Sequence, residues 1–379
     1  MAQLVAVGAQ DVWLTGNSEI SFFQSVYKRH TNFSQVVSKQ VLQGEPTPNG
    51  MSTVKFDKVG DLMGYVYITA VCMDTKLKVP ASYQTVDWTQ IIDKVELYIG
   101  GQLIDSQTSE FSEYLAPSLF AQNTTKSPGV YNHSGPGNPS LFYPMRFWFC
   151  ENFQSALPLV ALRYHDIEMR VYWNAKVKTS KPTYITPEKI TKDYDTNDAS
   201  TIINFELYSQ NIFLDVQERK NMTTKTHNLL ITQVQRMNPT GTKVMPIVFN
   251  HPIKYICATN SYYDTVTLSD KTALTSYTNQ VLIQINGVDI GDYKYACPHF
   301  TQIPSYYHVP FSQSNSKSYF LVPFCLETSK FQPTGSLNFS RIDSFQIVSK
   351  SQNIDTPIYG VNYNILRVQN GMGGLMYSN

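Results

Sequence analysis

The feature that most constrains the fold of this 379-residue chain is a set of short internal sequence repeats, which we call echoes, that occur in the same order in both halves. The echoes pair residues 95–101 with 281–287, residues 149–167 with 324–342, and residues 211–213 with 364–366. The corresponding shifts shrink from 186 to 175 to 153 residues. For any single pair, chance likeness between short apolar strands is the better explanation. Three pairs in order predict two copies of one fold, the first with longer loops.

Short strand-like segments separated by turn signals fill both halves of the chain. They are rich in β-branched and aromatic residues, and long helical periods are absent. The candidates are residues 53–56, 62–73, 91–99, 142–149, 162–173 and 202–214, and then 229–237, 243–249, 253–258, 280–285, 319–324, 342–348 and 358–368. This pattern predicts two all-β sandwiches in tandem.

The N-terminal segment differs from the rest of the chain. Residues 1–16 are apolar and glycine-spotted, which indicates an extended arm. Asn17 and Ser18 offer an N-cap, and Ile20, Phe23 and Tyr27 then follow at helical spacing. We therefore predict a short amphipathic helix there. Such a helix either plugs the end of a domain or docks on a neighbouring subunit, and the sequence leaves both open.

Four further segments interrupt the strand pattern. Residues 109–120 predict a short helix, and residues 121–140 and 175–200 predict long polar loops. Residues 215–228 are charged and polar, so they predict a linker with one helical turn. The two loops supply the extra length that the shrinking shift places in the first copy.

Composition narrows the functional classes. The formal net charge is +1 and only 16% of residues are charged, so nothing draws the whole chain toward nucleic acid or an anionic membrane. The 25 Tyr and 20 Phe suit strands and interfaces. Four of the five cysteines lie in apolar runs, which indicates free thiols in a reducing compartment. We find no signal peptide and no transmembrane segment, so we expect synthesis in the cytoplasm.

Motifs that carry chemistry are weak or missing. No P-loop and no nucleophile elbow occurs, and residues 371–374 fail the dinucleotide fingerprint at its third glycine. The 165–168 segment (His-Asp-Ile-Glu) lies in a strand candidate that splits its side chains between two faces, and residues 297–299 (Cys-Pro-His) lack partner ligands. We therefore predict no catalytic, cofactor-binding or metal-binding residues, no cofactor and no enzymatic activity.

Seven stretches, spread from one end of the chain to the other, resemble the major capsid proteins of nucleocytoplasmic large double-stranded DNA viruses. They are GAQDVWLTGN at 8–17, FFQSVYKRHTNF at 22–33, LPLVALRYH at 157–165, IFLDVQER at 212–219, FNHPIKY at 249–255, NFSRID at 338–343 and YNILRVQNGMGGL at 363–375. They occur in family order, which makes the resemblance specific.

The resemblance implies an all-β fold: two tandem eight-stranded antiparallel jelly rolls (a double jelly roll), with short helices in loops and an N-terminal arm. We expect residues 1–30 to form the arm and short helix, 31–216 the first jelly roll, 217–228 the linker and 229–379 the second jelly roll. Trp13, Ile20, Phe23 and Tyr27 are the candidate residues through which the arm contacts another subunit.

The resemblance also implies a function. A structural major capsid protein of this family forms homotrimers whose pseudo-hexagonal capsomers tile an icosahedral shell. Its partners are therefore other copies of itself, neighbouring capsomers, and penton and minor capsid proteins, close to an inner viral membrane and without sequence-specific nucleic-acid binding. The expected location is the virion, with assembly in the host cytoplasm.

Two other functional classes stay open on the residues alone. Jelly rolls also form carbohydrate-binding proteins, for which an exposed aromatic platform beside polar groups would be the mark. A β-sandwich glycoside hydrolase needs two carboxylates about 5–10 Å apart across a cleft, and the sequence offers no clear pair.

Overall fold

The computed structural model describes residues 2–74, 79–84, 86–123, 126, 140–175, 177, 184–185, 191–192, 201–259, 272–310 and 319–378. Residues 1–32 form a small unit of their own, and residues 33–379 form one compact unit. The small unit contains two one-turn helices, α1 (Ala2–Val5) and α2 (Val12–Thr15). The larger unit is built mainly from antiparallel strands.

The elements of the larger unit follow one another in two similar series. The first series of strands is β1 (Phe33–Gln40), β2 (Leu42–Gln43), β3 (Met51–Lys55), β4 (Leu62–Asp74), β5 (Val79–Gln84), β6 (Ile92–Ile99), β7 (Gln102–Thr108), β8 (Phe142–Pro144), β9 (Leu157–Pro158), β10 (Ile167–Trp173), β11 (Tyr184–Ile185), β12 (Thr191–Lys192) and β13 (Thr201–Leu214). The second series is β14 (His227–Met237), β15 (Val244–Ile247), β16 (Pro252–Ala258), β17 (Gln280–Ile285), β18 (Val288–Asp289), β19 (Lys294–Tyr295), β20 (Phe320–Pro323), β21 (Leu337–Asn338), β22 (Phe345–Ser349), β23 (Ile358–Gln369) and β24 (Met372–Leu375).

Helices are short and lie in the connections. The α-helices are α3 (Trp88–Ile91), α4 (Ala116–Leu119), α5 (Trp148–Glu151), α6 (Val216–Thr224), α7 (Ala296–His299) and α8 (Gln302–His308). A π-helix (Phe111–Leu115) leads into α4, and 3₁₀ turns occupy Phe153–Ser155, Leu159–Ala161 and Phe339–Arg341.

The first sandwich consists of two sheets. Sheet A has the strand order β1-β13-β4-β5, with β8 and β9 also pairing with β4, and sheet B has the order β2-β3-β10-β6-β7. Along β10 the side chains alternate, so that Ile167, Met169, Val171 and Trp173 are buried between the sheets while their neighbours are not. This strand order is that of a jelly roll.

The second sandwich repeats this topology. Sheet C has the order β14-β23-β16-β20, with β21 on β16 and β24 on β23, and sheet D has the order β15-β22-β17-β18, with β19 on β17. Its core is a separate apolar cluster that includes Ile256, Phe320, Phe345 and Ile358. The predicted double jelly roll is therefore confirmed.

The pairing of strands in the two sandwiches shows whether each predicted echo joins equivalent positions. The β6–β7 turn at Gly100–Gly101 and the β17–β18 turn at Asn286–Gly287 both use left-handed residues, with φ between 51° and 81°, and they lie 186 residues apart. Tyr208 of β13 pairs with β4 in the first sandwich. Val361 of β23 pairs with β16 at the equivalent position of the second sandwich, 153 residues further along the chain. Both of these echoes are confirmed.

The middle echo was aligned wrongly. The register of sheet B places Ile167 opposite Ile99, and that of sheet D places Phe345 opposite Ile285, so the shift there is 178 and not 175. The 3₁₀ turns at Leu159–Ala161 and Phe339–Arg341 correspond at 180. In both sandwiches this region is a two-residue strand followed by a 3₁₀ turn. Such short apolar segments can be aligned in several similar ways, so the alignment predicted from sequence was displaced by a few residues.

Other predictions differ in their bounds. The strand predicted at 142–149 ends at Pro144 and gives way to α5, and the one predicted at 162–173 begins at Ile167. The linker contains α6, which is nine residues long and exceeds one turn. The helix predicted at 109–120 is present. The predicted loops at 121–140 and 175–200 lie mostly outside the described residues.

Candidate assembly surfaces

The N-terminal unit does not contain the predicted amphipathic helix. Asn17 has a φ of 51°, which is left-handed backbone and not that of an N-cap, and residues 18–32 hold no helix. Trp13 lies in α2, whereas Ile20, Phe23 and Tyr27 lie in irregular backbone. An isolated helix shorter than about 12 residues is marginal in water, which accounts for the wrong prediction.

Exposure is what the four candidate arm residues share. Trp13 is 91% exposed, Ile20 68%, Phe23 100% and Tyr27 82%. They are therefore not gathered into a buried cluster of the described chain. Large apolar side chains exposed in one short segment mark a surface for another macromolecule.

The two sandwiches share a buried contact that sequence reasoning missed. The helical segment at 111–119, between β7 and β8 of the first sandwich, lies on the outer face of sheet C. The apolar side chains buried there are Phe111, Leu115, Ala116 and Leu119 from the helical segment and Tyr255, Cys257, Leu321, Tyr359 and Val361 from sheet C. The ring centroids of Phe111 and Tyr359 are 5.5 Å apart. This contact fixes one sandwich against the other.

The carboxylate of Glu110 lies at the polar edge of this contact. The hydroxyl of Tyr359 donates to Glu110 Oε2 at 2.8 Å, and that of Thr259 donates to Glu110 Oε1 at 3.0 Å. Thr108 Oγ1 lies 3.0 Å from the same Tyr359 oxygen. Burial raises the pKa of Tyr359, so this hydroxyl keeps its proton and remains the donor.

Strand β7 also meets β14 through a buried acid. Asp105 accepts the backbone N–H of Val234 at 2.9 Å and the side-chain amide of Gln107 at 2.7 Å. The amide of Gln233 donates to the carbonyl of Ile104 beside it. Burial raises the pKa of Asp105 to about 7, against the opposing effect of these donors.

The C-terminal hairpin of β23 and β24 docks on the first sandwich. Gly371 accepts the backbone N–H of Tyr164 at 2.9 Å, and Gln102 Oε1 accepts that of Leu375 at 3.1 Å. His165 Nδ1 lies 2.8 Å from the carbonyl oxygen of Gly373. A Cβ on Gly373 would lie 2.6 Å from the Leu162 side chain, so this glycine permits close packing.

The outer face of sheet A carries an aromatic patch that is not fully buried. Tyr67 stacks on Tyr208 at 5.4 Å and meets Phe142 edge-on at 6.0 Å. Beside them lies a groove of about 820 Å³, whose lining includes Tyr65, Leu141 and Phe153. We name this surface, comprising Tyr65, Tyr67, Leu141, Phe142, Phe153 and Tyr208, the sheet A face.

The edge of sheet A is also apolar and exposed. In β1, Phe33, Val36 and Val37 are exposed, and β1 pairs on one side with β13. An exposed edge strand presents backbone N–H and C=O groups for pairing with another chain. Lys39 and Glu206 form an ion pair across β1 and β13 at 2.5 Å.

The segments tested for chemistry have structural partners. Asp166 pairs with Lys55 at 2.7 Å, and Glu168 pairs with Arg170 at 2.7 Å. Lys55 holds the pKa of Asp166 below its usual value. Within the described part of the chain, no group of three His, Cys, Asp or Glu residues is arranged to hold a metal ion. Four cysteines there are free thiols.

Among the helices that the structure describes, none is long and apolar enough to cross a membrane. The longest α-helix, α6, has nine residues and is anchored by an ion pair between Arg219 and the buried carboxylate of Asp61 at 2.8 Å.

Family models match two consecutive parts of the chain. The N-terminal model of major capsid proteins matches residues 21–215, which is more than half of the chain. The model of the major capsid protein of large eukaryotic DNA viruses matches residues 218–374.

Curated relatives and solved structures agree with these matches. The major capsid protein of Pyramimonas orientalis virus is 30% identical, covering 100% of this chain and 99% of its own length. That of Paramecium bursaria Chlorella virus 1 is 28% identical over 100% and 99% of the two chains. A solved PBCV-1 virus capsid structure aligns with a TM-score of 0.73 at 22% identity, covering 95% of this chain and 100% of that one. The Faustovirus major capsid protein aligns with a TM-score of 0.57 at 12% identity, covering 96% and 94%. The chain therefore belongs to the major capsid proteins of large eukaryotic DNA viruses, and its role is structural, in the capsid of the virion.

Proposed function

We propose that three copies of this chain form a pseudo-hexagonal capsomer and that these capsomers tile an icosahedral shell. The observation that carries the proposal is the fixed pair of similar sandwiches in one compact unit. Three copies of a two-lobed subunit around one axis present six similar lobes. Six lobes pack into a plane as a hexagon does, whereas a single lobe per subunit would give a triangle.

The exposed apolar surfaces support repeated contacts between copies. Closed rings need the same two surfaces on every subunit, and stable subunit interfaces bury aromatic and aliphatic side chains. The chain carries such side chains on its N-terminal unit, on the sheet A face and on α8. We propose that the arm residues Trp13, Ile20, Phe23 and Tyr27 join neighbouring subunits.

The domain organisation is part of the same proposal. We assign residues 1–30 to the arm, 31–216 to the first jelly roll, 217–228 to the linker and 229–379 to the second. Penton and minor capsid proteins complete the shell, close to an inner viral membrane. Synthesis and assembly take place in the host cytoplasm, and the chain acts without catalysis, cofactor or sequence-specific nucleic-acid binding.

Light scattering coupled to size-exclusion chromatography tests the capsomer directly. The expected mass is three times the 43.1 kDa of one chain, and negative-stain images should show six-cornered particles. A protein that stays monomeric at high concentration would contradict the proposal. A monomer that binds glycans on a microarray would favour the carbohydrate-binding alternative instead.

A further inference from the structure

The register of the strands makes sheets A and C directly comparable. Tyr67 of β4 lies opposite Pro144, and Tyr255 of β16 lies opposite Pro323. Each tyrosine also pairs with the long strand that follows in its sheet, β13 or β23. The outer face of sheet A therefore corresponds, position by position, to the outer face of sheet C. The equivalent pairs, sheet A first, are Tyr67 and Tyr255, Tyr208 and Val361, and Phe142 and Leu321.

Burial differs sharply between the corresponding positions. Tyr255, Val361 and Leu321 are completely buried, because the helical segment at 111–119 covers them. The sheet A positions are only partly buried, and two of them, Tyr67 and Phe142, line the groove of about 820 Å³. The same positions are thus completely buried in the second sandwich and only partly buried in the first.

The first strand of each sandwich shows the same difference. Ile231 of β14 lies opposite Asn364, and Val36 of β1 lies opposite Asn211, the residue that corresponds to Asn364. Ile231 is 1% exposed because it packs into the apolar cluster of the first sandwich. Val36 is 52% exposed. The position that the second sandwich buries against the first therefore has a half-exposed equivalent, Val36, on the first sandwich.

A counterpart of the covering segment exists in the second sandwich. Helix α8 lies between β18 and β20, as the 111–119 segment lies between β7 and β8. Ile303, Tyr306 and Tyr307 of α8 are 41%, 80% and 72% exposed. Their spacing of i, i+3 and i+4 places them on one helical face. This apolar face is thus available for contact with another surface.

We propose that α8 of one copy seats on the sheet A face of the next copy, repeating between subunits the contact that the 111–119 segment makes within each chain. The partner is a second copy of this chain, and the inference rests on the trimer proposed above. The contact is heterologous, because α8 and the sheet A face are different surfaces. A heterologous contact that closes after three steps makes a ring in which every sandwich covers the next.

Exposed residues on the two surfaces allow a test that spares the fold. Tyr307→Glu places a charge on α8, and Phe153→Glu places one in the groove, where Phe153 is 66% exposed. Val248→Glu is the matched control, since Val248 is 75% exposed and belongs to neither surface. Circular dichroism should show the three variants with the same secondary structure as the wild type. Sedimentation velocity over a dilution series then measures trimer dissociation.

We expect Tyr307→Glu and Phe153→Glu to weaken the trimer by roughly a hundredfold, as buried aromatic anchors do, and Val248→Glu to leave it unchanged. Mixing the two defective variants, one carrying a mass tag, should give one-to-one pairs. In such a pair, the intact α8 of the Phe153→Glu chain meets the intact face of the Tyr307→Glu chain. A ring of three cannot close in this mixture.

The same measurements test the trimer and the α8 contact separately. A wild-type trimer that Tyr307→Glu and Phe153→Glu leave as stable as the control overturns the α8 contact and leaves the trimer standing. A wild-type protein that stays monomeric overturns both.

Discussion

Phe111→Ala tests the contact that joins the two sandwiches. Phe111 is completely buried between the 111–119 segment and sheet C, with ring centroids 5.5 Å from Tyr359 and 5.7 Å from Phe120. Truncating a buried Phe costs about 3–5 kcal/mol, and lost aromatic pairs account for about 0.5–1.5 kcal/mol each within that range. Since domains are stable by only about 5–15 kcal/mol, we expect a large loss of stability.

Urea denaturation followed by tryptophan fluorescence and by circular dichroism measures the effect. A loss of about 4 kcal/mol should lower the midpoint by roughly 1 M or more. Val248→Ala is the control, because Val248 is 75% exposed and belongs to neither proposed contact surface, so it should shift the midpoint little. Equal midpoints for Phe111→Ala and Val248→Ala would refute the view that this segment holds the sandwiches together.

Three further perturbations test other parts of the account. The folded-state pKa of Asp105, about 7, lies above its ordinary 3.8, so the buried carboxyl destabilises the fold progressively as pH rises from about 4 to 7. Asp105→Asn should remove up to about 4 kcal/mol of this pH dependence, and parallel stability–pH curves for variant and wild type would contradict it. Gly360→Ala places a Cβ 2.7 Å from the ring of buried Phe249, which should cost about 1–3 kcal/mol in chemical denaturation. Gly8→Ala, with no neighbour closer than 3.6 Å, is its control, and equal midpoints would contradict the prediction. Deleting residues 1–30 should leave the melting temperature of the body unchanged but reduce shell assembly, and full-size shells seen by electron microscopy would refute the role of the arm.

Sequence predicted the parts of the fold where local pattern and burial agree. The alternation from Ile167 to Trp173 matches a strand with one buried face, and the bounds of β17 were predicted without error. The turn at Asn286–Gly287 carries the residues that left-handed backbone favours. Strand β1 was missed, because its first five residues are exposed on both faces and show no alternation of burial.

The candidate surfaces were harder to predict, because they depend on contacts between distant segments. Nothing local in β7 indicates that Asp105 is buried against Val234, 129 residues away. The spacing of Ile303, Tyr306 and Tyr307 was visible in the sequence, although Pro304 interrupts it. Pro304 lies in the first turn of α8, where proline is tolerated, so the helical reading was available. Only the structure reveals that the corresponding face of the other sandwich is already covered.

A single-particle cryo-electron microscopy reconstruction of the purified protein would show how many copies assemble and which surfaces meet. We expect three copies around one axis and six similar lobes. We also expect α8 of each copy to lie, through Tyr306 and Tyr307, on Tyr67 and Phe142 of the next. A monomer, a two-fold dimer, or a trimer in which the sheet A face remains open to solvent would contradict these expectations.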